Sequence, residues 1–441
     1  VLNHCLEGSG LIFKKVNNTI IITPEKKSTK TSKEPGPVQT IRGIIKDRES
    51  GVPLPFANIW VINTEPLIGT NTNLQGTFEL KNVPVGRHSL RVTYVGYEDA
   101  VLSEVVVGSA KEVTLTIEIE ESLESLGEVS VSLTKGEPLN QMAVVSSRSF
   151  NVEETKRYPA TVSDPARMAQ VFAGVSGNDD STNEIIIRGN SPNWMIWRLE
   201  GVEIPSPNHF AEEGYSSGAI SILSTNMIGL SDFYTGAFPA EYGASLSGIF
   251  DIKFRNGNNQ QREYAFQAGV LGMEFAAEGP FKKGYDGSYL INYRYSTFAL
   301  MDQLNFEISQ NALPNYQDLS YKINLPTKRA GTFSLWAIAG MGDDDEKYLP
   351  DSTTSENPEN GYRDYTRTGM YAMGLSHTIF PDDQSYLKTV VSHSMSGSTN
   401  HYYQMDSLGI LHTNWYDEMQ NKAFRISTLY NRKVSSKHTL R

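Results

Sequence analysis

One cysteine, Cys5, stands in a chain of 441 residues. That excludes an internal disulfide framework and any multi-cysteine metal site. No apolar run approaches the roughly 20 residues of a membrane-spanning helix. Positive charge is also short, with 39 Lys and Arg against 50 Asp and Glu and a net charge of -11. Phosphate binding needs clustered cations, so nucleic acid is excluded as a partner. The 8 histidines show no H-x-x-x-H or H-E-x-x-H spacing. Gly214 to Gly218 fits G-x-S-x-G around Ser216, but the flanking strand and helix that a nucleophile elbow requires are not in the pattern. Asp343 to Glu346 lacks the spaced Asp/Asn and Gly of a calcium loop and reads as a solvated acidic loop. No catalytic residue, metal ligand or cofactor is therefore expected, and the chain reads as a non-enzyme.

An apolar content of 39% and a mean hydropathy of -0.37 leave one spanning structure open, the β-barrel. Only alternate residues of its strands face lipid. The length points to several domains. SYLINYRYS (288–296) carries the alternation most clearly: Tyr289, Ile291, Tyr293 and Tyr295 fall on one face, with Leu290, Asn292, Arg294 and Ser296 on the other. Similar runs continue through KAFRISTLYN. The short turns at 325–331, 381–384 and 433–437 alternate with polar excursions at 342–366 and 402–415, as in a barrel with short inner turns and long outer loops. A soluble β-rich domain is the alternative, against which stand that loop asymmetry and the unbroken apolar face.

Upstream, residues 39–119 hold short β-runs separated by Gly, Pro and Asn turns at the spacing of a small sandwich. Gly43, Asp47, Pro53, Ala57, Asn58, Gly69, Thr70, Gly76, Phe78, Pro84, Gly86, Gly96 and Tyr97 stand where the carboxypeptidase regulatory-like family has its signature. The segment resembles that family throughout, which implies a seven-stranded transthyretin-like sandwich without catalytic residues of its own. Residues 24–38 are a Pro-, Lys- and Ser-rich linker. Residues 1–23 read as a helix end followed by a hairpin turning at Asn17-Asn18. They resemble the C-terminal part of the secretin/TonB N-terminal domain, the bland alternative being any hairpin after a helix.

Between 135 and 256 the pattern is mixed α/β. Asp164 caps a short helix through PARMAQVFAGV that Gly174 ends. EIIIRG and WMIWRLEGVEIP follow as strands. Arg188-Gly189, Leu199-Glu200-Gly201-Val202 and the run containing Gly236, Pro239, Ala240, Glu241, Tyr242, Gly243 and Gly248 match the plug of TonB-dependent outer-membrane receptors. Glu200 replaces that family's usual Asp. The whole chain thus resembles a TonB-dependent receptor of the Bacteroidota type.

The resemblance implies a mainly β, multidomain protein. It would comprise a transthyretin-like β-sandwich, an α/β plug (135–256) and the first strands of an incomplete antiparallel transmembrane β-barrel (257–441). About eight strands and the start of a ninth can be counted, against the roughly 22 of plugged transporters. Eight strands close too narrow a barrel for such a plug, so further strands are expected beyond Arg441, and a secretory signal before Val1. The implied function is energised uptake of a small-molecule, glycan or peptide ligand across the Gram-negative outer membrane, with residues 1–134 in the periplasm and outer-membrane lipid around the barrel. The implied partner is TonB, driven by the inner-membrane ExbB/ExbD complex. It would pair by β-augmentation with Glu128, Val129, Ser130 and Val131 in the TonB-box region 120–134; otherwise this segment is the last sandwich strand or a linker. Alternatives within the class are a signalling receptor acting on an anti-sigma factor and a nutrient importer paired with a surface lipoprotein. Arg188 and Glu241 are expected in structural ion pairs rather than on substrate. Asn193, Trp194, His209 and Phe210, on two Pro-stiffened loops, either touch ligand or pack on the barrel wall.

Overall fold

The computed structural model describes residues 11–16, 19–24, 36–62, 64–109, 111–121, 146–150, 164–177, 182–211, 216–243, 245–269, 272–297, 315–348, 361–435 and 438–441. β1 (Leu11–Val16) and β2 (Thr19–Pro24) pair antiparallel in a hairpin of their own. Seven strands make the next unit: β3 (Val38–Asp47), β4 (Asn58–Val61), β5 (Gly69–Asn71), β6 (Thr77–Pro84), β7 (Gly86–Thr93), β8 (Ala100–Val107) and β9 (Val113–Ile119). They form two sheets, β6-β3-β9 and β5-β4-β7-β8. Inward-facing Ile41, Ile45, Ile59, Leu80, Leu90 and Ile117 fill the space between them, as alternating strands in a two-layer sandwich should.

The third unit is the mixed α/β segment, called the plug here for its place against the wall that follows. Its strands are β10 (Ser147–Phe150), β11 (Val175–Ser176), β12 (Ile186–Ile187), β13 (Ile196–Leu199), β14 (Val202–Ile204), β15 (Asn208–His209), β16 (Ile220–Ser221), β17 (Ser231–Tyr234) and β18 (Ile249–Ile252). Five of them form the sheet β10-β17-β18-β13-β14, with β13 and β18 parallel. Helix α1 is shorter than the spacing predicts. Asp164 does cap it by accepting from Ala166 N, but it spans only Pro165–Met168 before a 3-10 turn over Ala169–Val171. Phe172 then turns extended to stack on Phe233, with ring centroids 5.8 Å apart, and β11 pairs with β12. Tertiary packing here overrides the helical period.

The wall is one antiparallel meander of nine strands: β19 (Glu263–Ala268), β20 (Gly272–Pro280), β21 (Ser288–Ser296), β22 (Asn315–Pro326), β23 (Thr332–Tyr348), β24 (Tyr362–Asp382), β25 (Ser385–Met405), β26 (Leu411–Ser435) and β27 (His438–Leu440). The alternation read in β21 holds. Leu290 and Asn292 are fully buried against the plug, while Ile291 and Tyr293 are exposed on the outer face. The polar excursions at 342–366 and 402–415 are not loops from their first residue. β23 runs on to Tyr348, β24 starts at Tyr362, β25 reaches Met405 and β26 begins at Leu411. Neighbouring strands satisfy each other's backbone groups there, so pairing outlasts the apolar belt.

Plug and wall share one core. Leu290, Trp336, Ile338, Met370, Ala372 and Val390 pack with the plug's Trp197, Leu199, Phe233 and Phe250. Two glycines on the inner face of β23 make the close approach possible. A Cβ on Gly340 would stand 2.6 Å from Ile222 Cδ1 and 2.9 Å from His209 Cε1, and one on Gly342 would stand 2.8 Å from the Phe210 ring.

The sandwich rests on the short-turn rim of the wall. Lys433 Nζ lies 3.1 Å from Asp47 and 2.8 Å from Glu121. Lys111 Nζ reaches Glu278 at 3.5 Å. Burial drives the Asp47 carboxyl upward, but bonds from Ser50, Tyr97 and Lys433 outweigh it and hold its pKa below the ordinary value.

Gly340→Leu should therefore loosen the plug, costing about 1–3 kcal/mol by overpacking. Gly369→Ala, whose Cβ would meet only ordinary contacts at 3.6 Å and 3.9 Å, should be near neutral. Thermal unfolding of the two variants, with protease sensitivity of the plug, checks the pair; equal behaviour would remove the close-approach argument.

Candidate functional site

The seam between plug and wall collects most of the residues singled out in the plug motif. Leu199 pairs with Val202, so Glu200 and Gly201 form a two-residue hairpin turn. Both lie in the left-handed region, with φ of 55° and 98°, the geometry of a type I′ turn that favours Asn-Gly or Asp-Gly. Glu200 occupies the strained position because its side chain reaches the wall. Its carboxylate accepts from Phe254 N at 2.9 Å and from Lys322 Nζ at 2.8 Å, and Lys388 Nζ lies 4.0 Å away. The methylene that distinguishes Glu from Asp extends the carboxylate toward Lys322. Burial pushes this carboxyl's pKa up, but Lys322 and Lys388 prevail and leave it below the ordinary value.

A second buried cluster lies at β15. His209 Nε2 is 3.0 Å from Asp318 Oδ2, and the same oxygen accepts from Arg294 Nε at 2.8 Å. Arg294 also donates to the Ser221 carbonyl, so the wall arginine meets β16 directly and β15 through Asp318. Burial lowers the His209 pKa despite the opposing pull of Asp318. The ring is neutral, with its Nε2 proton on Asp318.

Of the remaining motif residues, Arg188 and Tyr242 stabilise the plug itself, Arg188 through a hydroxyl rather than the expected ion pair, and Glu241 ties it to the end of the wall. Arg188 and Gly189 are also left-handed, at φ 52° and 78°. Arg188 N bonds Gly174 O, and its guanidinium donates to Ser146 Oγ at 3.4 Å beside Gly236. Tyr242 donates to Asp251 at 3.0 Å under the Arg198 guanidinium, 4.9 Å from the ring centroid. Glu241 pairs with Arg441 at 3.0 Å, and Gly243 follows on the plug surface.

The four loop residues separate. Asn193 and His209 line a cavity of about 220 Å³ between the plug and β23–β26. Phe210 packs edge-on against Tyr316 and its N–H donates to Thr368 Oγ1 at 3.1 Å, whereas Trp194 stays half exposed. Trp197, Glu203, Ser216, Ser394 and Arg425 also line the cavity, and sequence reasoning missed them. Alternation in KAFRISTLYN held the signal for Arg425, which sits between the outward Phe424 and Ile426. Glu128, Val129, Ser130 and Val131 lie outside the described residues.

Residues 41–131 match the CarboxypepD_reg-like domain family. The match starts within β3 and runs past the sandwich to take in Glu128–Val131. None of the curated proteins compared matches the chain. Among solved structures, the siderophore receptor PiuA from Acinetobacter baumannii is 12% identical, with 69% of this chain and 46% of that one covered and a TM-score of 0.43. The ferric-catecholate import receptor Fiu from E. coli K12 is 11% identical, with 65% and 46% covered and a TM-score of 0.42. A type II cohesin–X-dockerin complex from Acetivibrio cellulolyticus is 20% identical over 20% of this chain and 62% of that one, at a TM-score of 0.18. The chain thus spans less than two thirds of each of these structures.

Glu200→Gln leaves Lys322 buried without its counter-charge and should cost about 3–5 kcal/mol. In the parent protein the pair's contribution is full above the ordinary carboxylate pKa and is lost as pH falls through the lowered one. Thermal unfolding from pH 7 down to pH 3 should show a steeper acid loss in the parent than in the variant. Parallel curves would show that the pair contributes nothing to the seam.

Proposed function

We propose that this chain comprises the periplasmic modules, plug and leading barrel strands of a TonB-dependent outer-membrane receptor. Its role is energised uptake of a scarce ligand and it performs no catalysis. One observation carries the reading. A folded α/β unit sits on the mixed polar and apolar inner face of an antiparallel sheet, held by the buried Glu200–Lys322 ion pair and the His209–Asp318 hydrogen bond, while the outer face of that sheet is apolar. Lipid demands such an outer face and a water-lined lumen tolerates such an inner one.

The sandwich contacts the rim where strands are joined by short turns, as at Asp382–Ser385. This supports placing residues 1–134 on the periplasmic side and the long β23–β24 and β25–β26 hairpins outside. Ligand then enters over the hairpins. TonB pairs with the segment around Glu128–Val131, beyond Glu121, and pulls from below. Polar seam contacts such as Glu200–Lys322 exchange for water as the plug shifts.

Deleting residues 126–132 should abolish uptake while leaving ligand binding at the cell surface intact. Uptake at the parental rate in the deletion would sink the assignment.

A further inference from the structure

One strand of the sandwich ties down both margins of the wall. β9 is the edge of its sheet and pairs with β3. At its start, Lys111 Nζ lies 3.5 Å from Glu278 of β20 and donates to the plug's Asn226 Oδ1 at 3.3 Å. Glu112 accepts from Asn258 Nδ2 at 2.7 Å, and its N–H donates to Glu263 of β19 at 3.4 Å. Beyond its end, Glu121 accepts from Lys433 of β26 at 2.8 Å. β19 and β20 open the wall, and β26 is its last strand but one. Extended chain from Lys111 to Glu121 reaches about 33 Å at most, and it crosses from one side of the sheet to the other. Within it, Glu118 comes into charge–charge range of Lys253, which follows plug strand β18. β9 is therefore a strap drawn beneath the plug.

The strap is fastened by bonds that water can replace. Asn431 donates to the Glu49 carbonyl and Thr439 to the Glu49 carboxylate, while Gly51 touches the Tyr386 ring, where an added Cβ would stand at 3.2 Å. Among the described residues, the sandwich's apolar cluster holds no residue of plug or wall, and theirs holds none of the sandwich. A polar interface between separate cores is the kind that opens with each body intact. Tension also enters beside the strap. Glu121 precedes the Glu128–Val131 segment by seven residues, so a pull there loads the Glu121–Lys433 pair before the β3–β9 ladder. We propose that the sandwich is a detachable cover on the inner mouth. β9 straps it down, and it leaves the rim as a folded body when the chain after Glu121 is drawn away. The inference rests on the receptor reading above and adds the step that opens its inner side.

The test is optical-tweezers pulling on the full-length receptor, with its barrel held in a lipid nanodisc and a peptide handle inserted after Ser132. The first event should be release of the sandwich with little added chain length. Lys111→Gln with Glu121→Gln, which removes an ion pair at each end of the strap, should speed that event about tenfold. A second variant carries Cys5→Ser, Glu49→Cys and Thr439→Cys, the last two at side chains 3.2 Å apart. Closing its two thiols with a short reducible linker should abolish the first event, and reductant should restore it. A first event that adds the length of an unravelled sandwich, about 280 Å for roughly 80 residues, would overturn the inference. So would a first event unmoved by the double substitution or by the linker. Release is read without uptake, so these outcomes are separate from the fate of the 126–132 deletion.

Discussion

Charge buried between two surfaces has to be paired across them, and this requirement organises the molecule. Glu200 on the plug pairs with Lys322 on the wall, and neither surface can bury its share of that charge alone, because an uncompensated ion in a low-dielectric interior costs several kcal/mol. Asp318 and Arg294 pair within the wall, and their bonds to His209 and to the Ser221 carbonyl add polar ties to the plug. The plug is thereby held at a fixed height and rotation against β21, β22 and β25. The apolar core around Trp336 and Trp197 adds area to that contact without directing it. A seam fastened this way is specific, yet each of its bonds has a substitute in water.

The elements legible in the sequence were those set by local repetition. Period-two alternation gave away the face assignments of β21, and turn residues set apart β3, β4, β6, β7 and β9 of the sandwich. WMIWRLEGVEIP, by contrast, read as a strand, and the structure folds it into the hairpin of β13 and β14 with Glu200 and Gly201 left-handed at its turn. Where a distant contact decides, the reading fell short. PARMAQVFAGV carries a helical period, but Phe172 stacks on Phe233 and the helix stops early. The strands above the apolar belt looked like loops because their composition is polar, and only the facing strand shows that they are paired.

The seam itself was the least legible part. His209 and Asp318 lie 109 positions apart, and Glu200 and Lys322 lie 122 apart. Glu200 drew notice as a departure from Asp, with nothing local to say what the added length is for. Arg425 and Ser394 are ordinary residues of alternating strands until β25 and β26 bring them beside the plug.

That alternation carries a consequence for descent. On β25, Ser392 and Ser394 are buried while Val391 is exposed, so neighbouring codons answer to different surroundings. Drift on one face leaves the other untouched. A lineage can therefore change what the inner face meets, one serine or asparagine at a time, while the outward series stays as it is. The reverse holds for a change of what surrounds the outer face. A single strand is, in this sense, two interleaved sequences under separate selection.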